Sequence, residues 1–430
     1  MDQRSSLSDR AVVMLIALLL GATTINYIDR QVLSVLAPTL RDEFSLSNSQ
    51  YAAILNAFMV TYAVSFPLMG VLLDRLGVGR GLSLAVGWWS LAGMATALSA
   101  GPVSMGFFRS LLAVGEAGAW PGFAKSVSIW APARWRTFAM GVCNSGSSMG
   151  AMLAPPLVVF VSKLYGWRGA FVVTGALGLV WVVLFQWFRR SHPQMALEDR
   201  GGPARTVADD RLGWRRLIRY RKTWAIFVCR FLADPIWYFY VFWIPEFLAR
   251  ERGLDLTAIG AVAWIPFLVA DVSNFTTGYL ALRLERAGWG VNRTRKALML
   301  LGAVGSPIGV AAAYTTSLFW TVTFISVAIF LWMSWSVTVH TLAADCFPSQ
   351  AVGSVYGLGG MGSTLGSVIS TWLVGRTLDL THSYTPVFLG LGLLMPAAFV
   401  IGATLLGRIE PVTLDGGSPG RISAAQDPAG

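Results

Sequence analysis

The chain has 430 residues, 55% of them hydrophobic and only 13% charged, with 18 Trp and 24 Phe. A water-soluble protein carries about 25% charged residues. Here apolar runs of about 20 residues recur from end to end, which excludes a soluble globular protein and predicts an all-α membrane protein with many spans. The net charge of +11 is explained below by topology and needs no nucleic-acid partner.

The hydropathy pattern predicts twelve transmembrane helices, over 11–38, 49–73, 81–101, 103–130, 136–160 and 168–188, then 223–249, 256–282, 297–314, 317–344, 351–375 and 384–407. Two six-helix bundles, 1–188 and 223–407, are therefore expected. A basic cytoplasmic linker over 189–222 separates them, and a Gly/Pro/Ser-rich disordered tail over 408–430 follows. With the N-terminus inside, inner segments hold 23 Lys and Arg residues and outer segments hold 6. That bias predicts both termini in the cytoplasm of a cell whose inner membrane the chain spans. The basic linker is expected to lie near anionic lipid headgroups.

The first helix carries Asn26, Tyr27, Asp29, Arg30 and Gln31 inside an otherwise apolar stretch. An Arg at that depth costs about 2.5–3.5 kcal/mol on insertion scales, so it normally faces protein or a watery cavity. Asp29 and Arg30 are adjacent, about 100° apart on a helix, and point in different directions. Arg30 is the expected anion-binding group. An interhelical ion pair with no further role is the plainer alternative.

The connection after the second helix reads Gly70-V-L-L-Asp74-Arg75-L-Gly77-V-G-Arg80. It closely resembles the loop signature of the major facilitator superfamily, G-x-L-x-D-R-x-G-x-x-R, and its physics is that of a latch. Asp74 at a helix end can pair with basic residues and helix termini and hold one face closed. The counterpart in the second half, from Gly278 to Lys296, keeps the basic residues but lacks the Asp.

In the fourth helix Arg109 and Glu116 are seven residues apart. They share a face about 10 Å apart along the axis. Arg109 is expected to pair with Asp29, leaving Glu116 toward the cavity or a gap between small residues, where a carboxyl group is an obvious proton carrier. Lys125, near the inner end, is expected to snorkel to the interface.

The two halves align weakly. Pro38 and Pro245 close the first and seventh helices, and Gly70 corresponds to Gly278. Gly141, Gly146, Ser147 and Gly150 match Gly357, Gly362, Ser363 and Gly366. Duplicated halves are a common basis of alternating-access transporters, with the substrate site between them at mid-depth. Small residues also let helix backbones approach closely. Cys143, Cys229 and Cys346 are isolated, and His192, His340 and His382 scattered, so neither a disulfide framework nor a metal site is expected. No cofactor is implied.

The runs N-Y-I-D-R-Q, R-S-L-L-A-V-G-E-A-G-A-W-P, Y-G-W-R-G-A-F-V-V-T-G-A-L-G, R-F-L-A-D-P-I-W and A-W-I-P-F-L-V-A-D-V-S-N are similar to the anion:cation symporter branch of that superfamily. They lie nearest its hexuronate transporters, with sugar-acid permeases next. The resemblance implies Arg30 as a carboxylate clamp with Tyr27 and Tyr62 as partners, and Asp29, Arg109 and Glu116 as a charge and proton network. Asn144 and Ser147 are weaker polar candidates, since relatives often carry a Gln where this chain has Ser147. Trp237 is a further candidate, with packing an equal alternative, and Arg230, Asp234, Asp271 and Asn274 stand behind it. His340 has no recognised counterpart. The expected function is proton-coupled uptake of a sugar-acid anion by a monomer. Another organic anion (hexonate, aldarate, aromatic acid or dicarboxylate), an organic-phosphate exchanger and a non-transporting sensor remain open. An enzyme is disfavoured, because no metal cluster or nucleophile–base arrangement is visible.

Overall fold

The computed structural model describes residues 8–130, 133–193, 195, 217–347 and 349–412. Its spans are α1 (Asp9–Val35, followed by a short helix Ala37–Phe44), α2 (Asn48–Leu76), α3 (Val78–Ala95) and α4 (Pro102–Glu116 and Ala119–Trp130). One helical run, Ala133–Ser191, is divided at Gly166 (φ 68°), giving α5 (133–165) and α6 (167–191). Then come α7 (Arg221–Arg252), α8 (Leu256–Val262 and Ile265–Arg286), α9 (Val291–Gly305, prolonged to Tyr314), α10 (Leu318–Cys346), α11 (Ser349–Thr381) and α12 (Thr385–Leu406). The predicted linker and tail fall mostly outside the described residues.

Twelve helices in two pseudo-symmetric bundles follow from who packs on whom. In the first half α1 packs on α5, α2 on α4, and α3 on α6; in the second α7 packs on α11, α8 on α10, and α9 on α12. Between the halves the neighbours are α2 with α11, α5 with α8, and α1 with α7. Exchanging the halves turns each of these pairings into another of the set, except α1 with α7, which maps onto itself.

The glycine repeat has a packing cause. A Cβ at Gly146 would stand 2.9 Å from the Leu20 carbonyl of α1, and one at Gly150 would strike the Thr24 carbonyl. In the second half a Cβ at Gly362 would stand 2.6 Å from the Phe227 carbonyl of α7, and one at Gly366 would strike that of Phe231. The same four positions therefore let α5 lie on α1 and α11 on α7 at backbone distance.

Three local expectations need correction. Pro38 and Pro245 do not close their helices: α1 ends at Val35 and Pro38 opens a new short helix, while α7 runs through Pro245 to Arg252. Proline suits a first helical turn, and neighbouring helices in a bundle compensate for one lost backbone bond. The fourth helix breaks at Ala117 and Gly118, directly after Glu116. Lys125 donates to the Leu73 carbonyl at 3.3 Å, so it ties α4 to the end of α2 rather than only reaching for the interface.

Polar contacts between the halves gather at the end that carries the α1–α2, α7–α8 and α11–α12 connections. Asp379 at the end of α11 accepts from the Asn48 amide (2.9 Å), the Asn48 side chain (2.7 Å) and the Ser49 amide (2.9 Å). Its carboxylate thus sits on the N-terminus of α2, where backbone N–H groups lack partners and the helix dipole favours negative charge. Arg250 donates to Asn48 Oδ1 (2.9 Å), Arg41 pairs with Glu246 (3.0 Å), and Tyr51 donates to the Phe242 carbonyl (3.0 Å). Toward the other end, Gly70, Gly141, Gly278 and Gly357 on α2, α5, α8 and α11 have, among the described residues, no neighbour from another part of the fold within 4 Å of where a Cβ would be. This conformation is closed at the first end.

Asp379→Asn removes the charge from three hydrogen bonds, each worth about 1.5–3 kcal/mol when charge-assisted. It is expected to shift the population toward opening of that end. A cysteine at Ala52, which packs against Gly375 across the closed contact, reports it: with the three native cysteines replaced, thiol labelling should speed up several-fold. An unchanged labelling rate would remove Asp379 from the lock.

Candidate functional site

The charged residues of α1 and α4 meet inside the first bundle, against the rings of α2. Arg30 places Nε at 3.1 Å and Nη2 at 2.6 Å from one oxygen of Glu116, Oε2. Arg30 is 5% exposed and Glu116 not at all, and the second oxygen, Oε1, is buried without a hydrogen bond of normal geometry, with Asn26 of α1 beside the carboxylate. The guanidinium is faced by three rings, Tyr27, Phe58 and Tyr62, at 5.0, 5.1 and 5.2 Å from their centroids. An aromatic cage of this kind holds a planar cation in place while leaving its edge for hydrogen bonding. Ser147 of α5 lies beside the Tyr27 phenol.

Arg109 does not pair with the Asp29 side chain. It donates to the backbone carbonyls of Asp29 (3.1 Å) and Arg30 (3.2 Å), and stacks on Phe58 at 5.1 Å. It therefore fixes the backbone of α1 where Arg30 projects. Asp29 turns away toward Trp89 of α3 and Thr174 of α6, and both its oxygens are buried without a hydrogen bond of normal geometry. Glu116 does not face open space: Arg30 takes it. Seven-residue spacing put Arg109 and Glu116 on one face, but it could not say that the longer Arg109 side chain would reach past the carboxylate to the main chain.

In the second half, Arg230 Nε lies 3.1 Å from Asp234 Oδ2, one turn along α7. The Arg230 guanidinium stacks 5.1 Å from the Tyr356 ring of α11 and donates to the Tyr356 carbonyl at 3.5 Å. His340 of α10 faces the same ring at 5.5 Å. Tyr238 lies within electrostatic reach of Arg30 and Tyr27 and of Asp234 and Arg230. Trp237 stacks on Trp332 (5.0 Å, 14° between planes) with its edge toward Phe267, inside the second bundle. Asp271 of α8 reaches Ser148 of α5 and its own neighbour Asn274.

Tyr238 and Tyr356 were not singled out from the sequence. For Tyr238 the signal exists: Arg230, Asp234 and Tyr238 follow one another at four-residue steps, hence on one stripe of α7.

A model of the Major Facilitator Superfamily matches residues 19–371. The chain belongs to that superfamily. It is 32% identical over 386 residues to the hexuronate transporter of Escherichia coli (strain K12), covering 87% of this chain and 89% of that protein. It is 34% identical over 303 residues to the galacturonate transporter of Dickeya chrysanthemi, covering 67% and 87%. Among solved structures, the occupied, inward-facing form of a bacterial homolog to the human lysosomal transporter Spinster aligns with a TM-score of 0.72. Its identity is 18%, over 93% of this chain and 96% of that one. A D-xylose-proton symporter aligns with a TM-score of 0.66, also at 18% identity, over 91% and 96%. At such identity the likeness shows the fold. The protein is thus a multi-pass membrane transporter rather than an enzyme.

The superfamily loop lies at the end away from the Asp379 lock. Gly77 ends α2 at φ 78°, a backbone geometry that suits glycine, and Arg75 and Arg80 are exposed. Gly79 leaves the space in which the Arg189 guanidinium of α6 lies. Gly70 faces open space. The side chains of Asp74 and Asn144 lie outside the described residues.

Proposed function

We propose that this protein is a secondary transporter that carries a sugar-acid anion, a hexuronate such as glucuronate or galacturonate, into the cytoplasm together with protons. The reading rests on one observation above others: a caged guanidinium whose only carboxylate partner among the described residues is a fully buried glutamate. Ionised Glu116 occupies Arg30. Protonated Glu116 releases it, and the carboxylate of the substrate takes the vacated edge through charge-assisted hydrogen bonds. Proton and anion therefore bind together, because each favours the form of the pair that admits the other. Tyr27, Tyr62 and Ser147, with Asn144, supply groups for sugar hydroxyls, and Trp237 a ring at the second bundle. Arg109 and Asp29 steady α1 around Arg30.

The charge inside the site argues for a monoanion. Arg230, the second-half cation near Tyr238, is paired with Asp234, whereas an organic-phosphate exchanger would require a free second cation opposite Arg30. The names of the similar transporters, for hexuronate and galacturonate, agree with this substrate class.

With both termini in the cytoplasm, as the distribution of basic residues favours, the Asp379 lock closes the outer end and the structure faces inward. The four glycines beside open space then sit where α2 and α11, and α5 and α8, approach when the inner end closes. Gly70, Asp74, Arg75, Gly77 and Arg80 form the latch on that inner side. One chain completes the site, so the protein acts as a monomer within its lipid surround.

Counterflow in proteoliposomes tests the proposal. Glucuronate and galacturonate should exchange, and a proton gradient should drive their accumulation. Glucose, equal in size but uncharged, should compete at least about 10- to 100-fold less well, because it leaves a buried Arg unpaired. Competition by glucose at the level of the acids would sink the anion assignment.

A further inference from the structure

Among the described residues, Arg230 and Asp234 form a charge pair near Tyr238 that the coupling scheme leaves unused. Both side chains are largely buried, 12% and 10% exposed. Arg230 is held by the Tyr356 ring and carbonyl, and Gly359 of α11 leaves room for its side chain: a Cβ there would stand 3.0 Å from Arg230 Cδ. His340 closes the cluster behind Tyr356. Tyr238, on the same stripe of α7 as the pair, lies within electrostatic reach of Arg30 and Tyr27 as well. An extended substrate whose carboxylate lies on Arg30 therefore directs its other end toward Arg230 and Asp234.

We infer that Asp234 is a specificity-determining residue: by occupying Arg230 it closes the far end of the site to a second negative charge, so that sugar acids with one carboxylate are accepted and those with two are refused. This rests on the sugar-acid reading above. The chemistry is a matter of charge balance. With Glu116 protonated, Arg30 offers one uncompensated positive charge, and a monoanion cancels it. A second carboxylate at the far end would meet Asp234 as a like charge or displace it from Arg230. Either leaves an uncompensated anion where the helices close. The hydroxyl-bearing end of a monoanion instead meets a neutral array of Arg, carboxylate, Tyr and His groups able to donate and accept.

The test is competition against radiolabelled galacturonate counterflow in proteoliposomes, with galacturonate and galactarate as competitors, two six-carbon acids that differ in the number of carboxylates. In the wild type galactarate should compete at least about tenfold less well. Asp234→Asn frees Arg230 and should improve galactarate relative to galacturonate by about tenfold. Asp234→Glu should keep the wild-type ratio. The double variant Arg230→Gln/Asp234→Asn, neutral again, should return to it, which a merely structural role would not predict. Asp234→Ser removes the same charge and stands in if Asp234→Asn does not reach the membrane. Equal competition by the two acids in the wild type, or an unchanged ratio in Asp234→Asn, overturns the inference while leaving the transporter reading intact. Failure of galacturonate itself to exchange in the wild type overturns the sugar-acid reading, and this inference with it.

Discussion

Arg30→Lys is expected to lower affinity for every transported sugar acid by about 100-fold or more, although the charge is kept. Arg30 lies among three rings and uses Nε and Nη2 together on a single carboxylate oxygen. That geometry belongs to a planar fork with donors along one edge. An ammonium group is a compact point charge: it cannot lie flat between Tyr27, Phe58 and Tyr62, and it cannot offer two parallel donors to an incoming carboxylate. It can still meet Glu116, so the variant should fold and reach the membrane as the wild type does. Equilibrium binding to purified protein, beside a size-exclusion profile, separates the two effects. Wild-type affinity in Arg30→Lys would remove Arg30 from the site.

How much of this was legible in the chain differs between backbone and side chains. Apolar runs of spanning length left little freedom over helix number, since a backbone in lipid must satisfy its own hydrogen bonds. The repeated glycines read correctly as close-packing positions, because a Cβ at Gly150 or Gly366 collides with main chain. Helix punctuation was less readable. Proline marked a start at Pro38 and nothing at Pro245, because bundle neighbours decide whether a missing N–H ends a helix. The divergence of Asp29 and Arg30 followed from their adjacency: one turns toward α3 and α6, the other toward α4 and the rings of α2. Which cation takes which anion did not follow. Arg30, Arg109, Asp29 and Glu116 could pair in more than one way, and the choice depends on the rotation of α1 against α4, which no local pattern records. The same limit hid Tyr356, which joins Arg230 only because α11 lies on α7.

Glu116→Gln should separate exchange from accumulation. The wild-type carboxylate is wholly buried, with Oε2 held by Arg30 and Oε1 without a hydrogen bond of normal geometry. An ionised group in that place is tolerable only while Arg30 neutralises it; once a substrate carboxylate claims Arg30, the charge is stranded, at a cost on the order of 3–5 kcal/mol for a broken buried pair. Taking up a proton removes the cost, which is why substrate and proton travel together. Glutamine keeps the shape and an oxygen that accepts from Arg30, but holds the group permanently neutral. Arg30 is then always available. Substrate should bind at least as tightly as in the wild type, because no ionised carboxylate competes with it for Arg30. Substrate-for-substrate exchange, which moves no net proton, should continue. Accumulation driven by an inward proton gradient should fall to the level of simple equilibration. Counterflow and gradient-driven uptake in the same proteoliposomes give both readings. Loss of both would make Glu116 part of the substrate site or the scaffold. Accumulation at wild-type levels would pass the coupling role to Asp29, the other acid of this network, whose two buried oxygens also lack a hydrogen bond.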